Sequence, residues 1–173
     1  MPDLDFIFNP KSVAIVGVSS VLDSLTNRNF LKPLLVCGYQ GPIYPVNPRL
    51  NEIMGLKVYP SVLEIGEPVD SVVCGLPAAQ VPRLMRDCVA ARAKAVTCFS
   101  AGFSETGEEE GARLEKEVVT IARRGAVRLL GPNCLGVHHP AIGYTFEAGG
   151  SRRSGQVGFL SQSGGHARDL ILS

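Results

Sequence analysis

Six short apolar runs rich in β-branched residues punctuate the chain, at 12–18, 43–46, 69–76, 95–100, 128–131 and 156–161. Each is too short for a helix, and none alternates apolar with polar residues as a half-exposed strand does. The pattern predicts strands covered on both faces. Between them the period changes. The stretch 25–37 ends at Gly38, a suitable residue just past a helix, with Pro33 as its internal flaw. Within 79–93, Val81, Leu84, Met85, Cys88 and Val89 recur at spacings of mainly three and four. The stretch 108–124 opens on three glutamates and closes on Arg123-Arg124-Gly125, which suits the helix dipole at both ends. A last helix is expected from Gly164. It stops at Leu170-Ile171-Leu172-Ser173 without a cap, as the N-terminal fragment of a longer protein would.

Strand–helix–strand repeated in this way predicts an α/β fold: a Rossmann-type, doubly wound, mainly parallel sheet with helices on both faces and right-handed crossovers. Ligands of such sheets bind beyond the carboxyl ends of the strands, where strand order reverses. The loops after each strand are therefore the place to look for chemistry.

Composition narrows the class. Hydrophobic residues make up 45% and charged residues 19%, enough for a packed core over residues 1–173 as one domain, with no disulfide or metal to hold it. Seventeen basic and sixteen acidic residues leave a net charge of +1, which gives no electrostatic footprint for nucleic acid or an anionic membrane. The acidic start Met1-Pro2-Asp3-Leu4-Asp5 is unlike a signal peptide, and no apolar run reaches the length of a membrane span. Five cysteines without a CxxC pair fit a reducing cytoplasm.

The first strand–helix turn carries Gly17, Val18, Ser19, Ser20, Val21 and Leu22. A dinucleotide site would read GxGxxG here, but only Gly17 is present; Ser19 and Leu22 stand where the other glycines would. After the second run, where an NAD site places a carboxylate for the ribose diol, the chain reads Val46-Asn47-Pro48-Arg49. An arginine there suits a ribose phosphate, which NADP carries at the 2′ and coenzyme A at the 3′ position. On the arginine alone, a plain surface residue is an equal reading. Small-residue loops follow at Gly75-Leu76-Pro77-Ala78-Ala79, at Phe99-Ser100-Ala101-Gly102-Phe103-Ser104-Glu105 and at Gly131-Pro132-Asn133-Cys134-Leu135-Gly136. Ser161-Gln162-Ser163-Gly164-Gly165 places two hydroxyls and two glycines at a helix start, suited to a phosphate-like anion. Singly, each is ordinary turn chemistry; at the ends of successive strands they argue for one continuous site.

Five motifs in order carry a resemblance over nearly the whole chain: Phe8-Asn9-Pro10-Lys11-Ser12-Val13-Ala14-Ile15-Val16-Gly17, Ile43-Tyr44-Pro45-Val46-Asn47-Pro48, Ser100-Ala101-Gly102-Phe103-Ser104-Glu105, Gly131-Pro132-Asn133-Cys134-Leu135-Gly136 and Ser161-Gln162-Ser163-Gly164. Together they resemble the CoA-binding domain of NDP-forming acyl-CoA (acetate–CoA) synthetases, a family distantly similar to the succinyl-CoA synthetase alpha subunit. The resemblance implies that coenzyme A lies over Gly17, Val18, Ser19, Ser20, Val21 and Leu22. It would contact Asn47 and Arg49, where the family commonly has lysine, and pass Pro77, Phe99, Ser100 and Ala101. It further implies that Ser161, Ser163 and Gly164 help hold the phosphate that activates the acid. The family often has another glycine before the first helix, where this chain has Asp23-Ser24-Leu25-Thr26-Asn27.

The complete enzyme so implied is an acid–thiol ligase. It uses ATP or GTP with Mg, and needs a histidine-bearing ligase domain and a nucleotide-binding domain or subunit that this chain does not supply. The chain alone is expected to bind coenzyme A without turnover and without binding the nucleotide. Two other readings stay open: a CoA-sensing or regulatory domain of a protein acetyltransferase, and an NADP-binding oxidoreductase fragment. His138, His139 and His166 match no phosphohistidine segment and read as structural or solvent-facing. Cys134 reads as a packed thiol, and Glu105 with Glu108-Glu109-Glu110 as helix-start charges and not metal ligands.

Overall fold

The computed structural model describes residues 4–19 and 30–173. Five strands form one parallel sheet: β1 (Val13–Val16), β2 (Ile43–Val46), β5 (Ser71–Cys74), β6 (Ala95–Cys98) and β7 (Arg128–Leu130), in the order β2-β1-β5-β6-β7. A small antiparallel hairpin, β3 (Glu52–Ile53) with β4 (Leu56–Lys57), follows β2. Chain order runs outward from β1 in one direction to β2 and in the other to β5, so the reversal lies between β1 and β5.

Successive strand residues point to opposite faces, and both faces are covered along β1, β5 and β6, whereas β7, at the sheet edge, leaves Arg128 exposed and Leu129 and Leu130 half-buried, contrary to the expected two-sided burial there. On one face Ala14, Val16, Val72, Cys74, Val96 and Cys98 pack against α3 (Val81–Ala90) and α4 (Glu109–Arg124). On the other, Val13, Ile15 and Val73 pack against Phe30, Leu31 and Leu34 and against Tyr144. Leu31 and Leu34 belong to α2 (Leu31–Val36). Two-sided burial explains why the strands read as uniform apolar runs. Pro45 lacks an N–H, and it is tolerated because β2 lies at the edge of the five-stranded sheet.

The helices follow from their sequence. In α4 the buried positions Gly111, Leu114, Val118 and Ala122 are three or four apart, while Glu109 and Glu110 open the helix and Arg123 and Arg124 close it. The helix expected from residue 79 begins at Val81, because Ala78–Gln80 forms a 3-10 turn first. Pro33 is the third residue of α2, within the first turn, where its missing N–H forfeits no helical bond. The part of that expected helix from 25 to 29 lies outside the described residues. A short α1 (Asp5–Phe8) precedes the sheet, and the C-terminal helix α5 spans Gly164–Leu172.

One expected strand is absent. Residues 156–161 pair with nothing in the sheet, and β7 bonds only to β6 among the described residues. Val157 is 93% exposed and Leu160 is 99% exposed. The apolar pattern there is genuine, but a two-sided strand needs cover on both faces, and the described residues supply none.

Candidate functional site

The site is built where strand order reverses. Gly17 takes φ +92, a conformation that a side chain disfavours, and directs the chain away from β1. A Cβ there would lie 3.2 Å from the carbonyl carbon and oxygen of Gly75 and 3.2 Å from Leu76 Cδ2. The turns after β1 and β5 therefore lie close together, through the main chain of Gly75 and the side chain of Leu76. Gly17 N–H donates to Val46 O at 3.2 Å and Gly75 N–H to Val16 O at 2.9 Å, so the ladder continues into the turns after β1 and β5.

Side chains join the neighbouring loops. Asn47, just after β2, donates from Nδ2 to Val18 O at 2.6 Å and accepts at Oδ1 from the Arg49 N–H at 2.8 Å. Arg49 is exposed, and its guanidinium makes no ion pair among the described residues. On the other side of β5 the Ser100 hydroxyl donates to Leu76 O, tying the loop after β6 to the loop after β5. Ser100 is buried and Cys74 Sγ lies 3.6 Å from its oxygen, so it braces the wall from inside. Phe99 meets Phe30 edge to face at 4.9 Å, while Pro77 and Ala101 are exposed on the rim.

Glu105 has a role that the sequence conceals. It sits in the 3-10 turn Ser104–Thr106, not at the start of α4, and its carboxylate accepts from Gly102 N–H at 2.7 Å and Phe103 N–H at 3.1 Å. Burial pushes its pKa up, but these N–H groups outweigh that and hold it below the usual range. The buried Phe103 anchors the same loop beneath. The signal was present as a carboxylate two residues after an aromatic in a glycine loop, a spacing that also suits a helix start.

The loop after β7 continues the rim. Asn133 N–H donates to Ser100 O at 2.9 Å and Cys134 N–H to Cys98 O at 3.1 Å. A Cβ on Gly164 would lie 2.8 Å from Leu135 Cδ1, which puts the N-terminus of α5 beside this loop although residues 156–161 are not in the sheet. Ser163 is the N-cap, its Oγ accepting from His166 N–H at 3.3 Å. The Ser161 hydroxyl accepts from Ser163 N–H and donates to Ser163 O, both at 3.1 Å, so it is the Ser163 hydroxyl whose proton is left to donate outward.

Ser20, Val21 and Leu22 lie outside the described residues, as do Asp23, Ser24, Leu25, Thr26 and Asn27; Val18 is buried and Ser19 half-buried. His138 Nδ1 is 2.8 Å from Thr145 Oγ1, and burial lowers its pKa despite a bond with the Ser151 main chain. His139 Nδ1 is 3.0 Å from Phe8 O. Cys134 is half-buried, and the other four cysteines are buried. No group of three or more metal-ligating side chains occurs among the described residues, and no described helix is long and apolar enough to cross a membrane.

A five-stranded parallel sheet in the order β2-β1-β5-β6-β7, its order reversing between β1 and β5, is a Rossmann-type fold. Residues 11–140 match the CoA binding domain family, and the chain belongs to it. It is 37% identical over its whole length to ADP-forming acetate–CoA ligase II of Archaeoglobus fulgidus, spanning 26% of that protein. It is 40% identical over 97% of its length to the alpha subunit of ADP-forming acetate–CoA ligase II of Pyrococcus furiosus, spanning 36% of that subunit. Acetyl-coenzyme A synthetase 1 of Ca. Korarchaeum cryptofilum, solved with phosphate and ADP, superposes with a TM-score of 0.86 at 38% identity, covering 99% of this chain and 36% of that one. The chain thus spans about a quarter to a third of these relatives.

Proposed function

We propose that this chain is the coenzyme A-binding part of an NDP-forming acid–thiol ligase, which makes an acyl-CoA from a carboxylic acid, CoA and a nucleoside triphosphate. The observation that carries the reading is the main-chain contact of Gly17 with Gly75 at the switch of strand order, one strand away from Arg49. The CoA diphosphate lies over the turn that starts at Gly17. Arg49 takes the 3′-phosphate, and the pantetheine runs past Pro77, Phe99 and Ala101. Asn47 and Ser100 hold these loops in place from behind.

The N-terminus of α5, with Ser163 as its cap and Gly164 against Leu135, receives the activating phosphate. Unpaired N–H groups and the helix dipole favour an anion there. A phosphorylated histidine and the nucleotide site belong to a further domain or subunit, and the bare apolar side chains of Val157 and Leu160 suit packing against such a domain. The whole of 1–173 need not be one packed unit: the family match ends at residue 140, and residues 151–163 are exposed.

Calorimetric titration of Arg49→Ala against CoA and dephospho-CoA tests the reading. A charge-assisted hydrogen bond is worth about 1.5–3 kcal/mol, so the substitution weakens CoA about ten- to a hundredfold. Dephospho-CoA should be affected little. Unchanged CoA affinity would reduce Arg49 to a surface charge.

A further inference from the structure

We propose that Asn47 is a positioning residue that sets the two phosphate-holding halves of the site relative to each other. Its amide nitrogen fixes the turn after β1, and its amide oxygen fixes the backbone that carries Arg49. The inference rests on the reading of Arg49 as the partner of the CoA 3′-phosphate.

The amide is used at both ends. Nδ2 donates to Val18 O at 2.6 Å, and Oδ1 accepts from Arg49 N–H at 2.8 Å. Its orientation is fixed by its partners, since a carbonyl only accepts and an N–H only donates. The Asn47 N–H itself donates to Tyr59 O at 2.9 Å, which anchors the residue to the chain beyond the β3–β4 hairpin. The bond to Arg49 N–H closes a side-chain turn two residues long, and Pro48 between them restricts the backbone further. Val18 is the residue after Gly17, so the Nδ2 bond holds the chain where it must stay open to a diphosphate.

Other side chains do half of this. Aspartate could accept from Arg49 N–H but could not donate to Val18 O, and it would set a negative charge beside the phosphate. Serine could accept from Arg49 N–H two residues on but is too short to reach Val18. Alanine does neither.

The readout is the ratio of the dephospho-CoA to the CoA dissociation constant, measured by calorimetry on the intact chain. Wild type should show a ratio of about ten to a hundred, as the bond to the 3′-phosphate implies. Asn47→Ala should lose most of that ratio although Arg49 is still present. Asn47→Ser should keep the ratio while weakening both ligands alike, because only the Val18 bond is gone. A merely structural role would lower the melting temperature and leave the ratio alone. If Asn47→Ala does not fold, the serine variant, titrated well below its melting temperature, decides: a kept ratio with parallel weakening of the folded protein supports the proposal. Wild-type affinities for both ligands, or a collapsed ratio, would overturn it. A wild-type ratio near one would overturn the reading of Arg49 and the proposal with it. A high wild-type ratio that Asn47→Ala leaves intact would overturn the proposal alone.

Discussion

Gly17 lies against the carbonyl of Gly75, and a Cβ there would approach that carbon and oxygen to 3.2 Å, so the neighbours would have to shift. The same residue holds φ +92, so a side chain there meets both a strained backbone and a close neighbour. Gly17→Ala should destabilise the chain by about 1–3 kcal/mol in urea unfolding and weaken CoA at the same time. Gly75→Ala is the contrasting case. Its Cβ would meet nothing nearer than 3.6 Å, an ordinary contact, so stability should change little. Equal costs at the two positions would contradict the account of the crevice.

The N-terminus of α5 separates a cap from a phosphate site. Removing the cap with Ser163→Ala should lower stability by about 1 kcal/mol. In the full-length protein proposed above to be a ligase, the same change should reduce turnover sharply while CoA affinity hardly moves. Wild-type turnover in a Ser161→Ala/Ser163→Ala double variant would show that neither hydroxyl is needed there.

Acid should loosen the opposite end of the sheet. Asp70 is buried, yet it accepts from Lys11 N–H at 2.8 Å and pairs with Lys94 Nζ at 2.8 Å. Burial pushes its pKa up, but Lys94 and the Lys11 N–H outweigh that and hold it below the ordinary 3.8. A depressed carboxylate stabilises the fold above its unfolded value, and that contribution disappears as pH falls below 3.8 through the folded value. Urea midpoints taken across this window should fall more steeply for wild type than for Asp70→Asn.

Thiol reactivity gives an independent view of packing. Cys37, Cys74, Cys88 and Cys98 are buried and Cys134 is half-buried. Cys74 and Cys98 stand side by side on β5 and β6, where a hydrogen bond from Cys98 lowers Cys74 and raises Cys98. A disulfide reagent should therefore label Cys134 first in the native chain and all five only after unfolding. Rapid labelling of Cys74 would mean that the loops after β5 and β6 open far more than their Ser100–Leu76 bond suggests.

Much of this was legible in the sequence. Runs buried on both faces announced the parallel sheet, and Gly17 announced the turn that ends β1, because periodicity and turn chemistry are local. The roles of Asn47, Ser100 and Glu105 were not, since each depends on a partner in another loop or on a loop shape that sequence spacing does not reveal. The stretch 156–161 shows the limit from the other side. Its apolar pattern is that of a covered strand, but pattern cannot say whether the cover comes from this sheet, and here it does not. Likewise the face over Val13, Ile15 and Val73 is closed partly by the irregular chain around Tyr144, whose Oη lies 2.8 Å from Ser71 Oγ. No helical period could have shown that.

The central claim is that the crevice takes coenzyme A, and calorimetric titration of the chain with CoA, NADP and NAD tests it most directly. The single-glycine turn and the cation after β2 predict measurable CoA binding, weaker NADP and weakest NAD. Tighter binding of NAD than of CoA would contradict it.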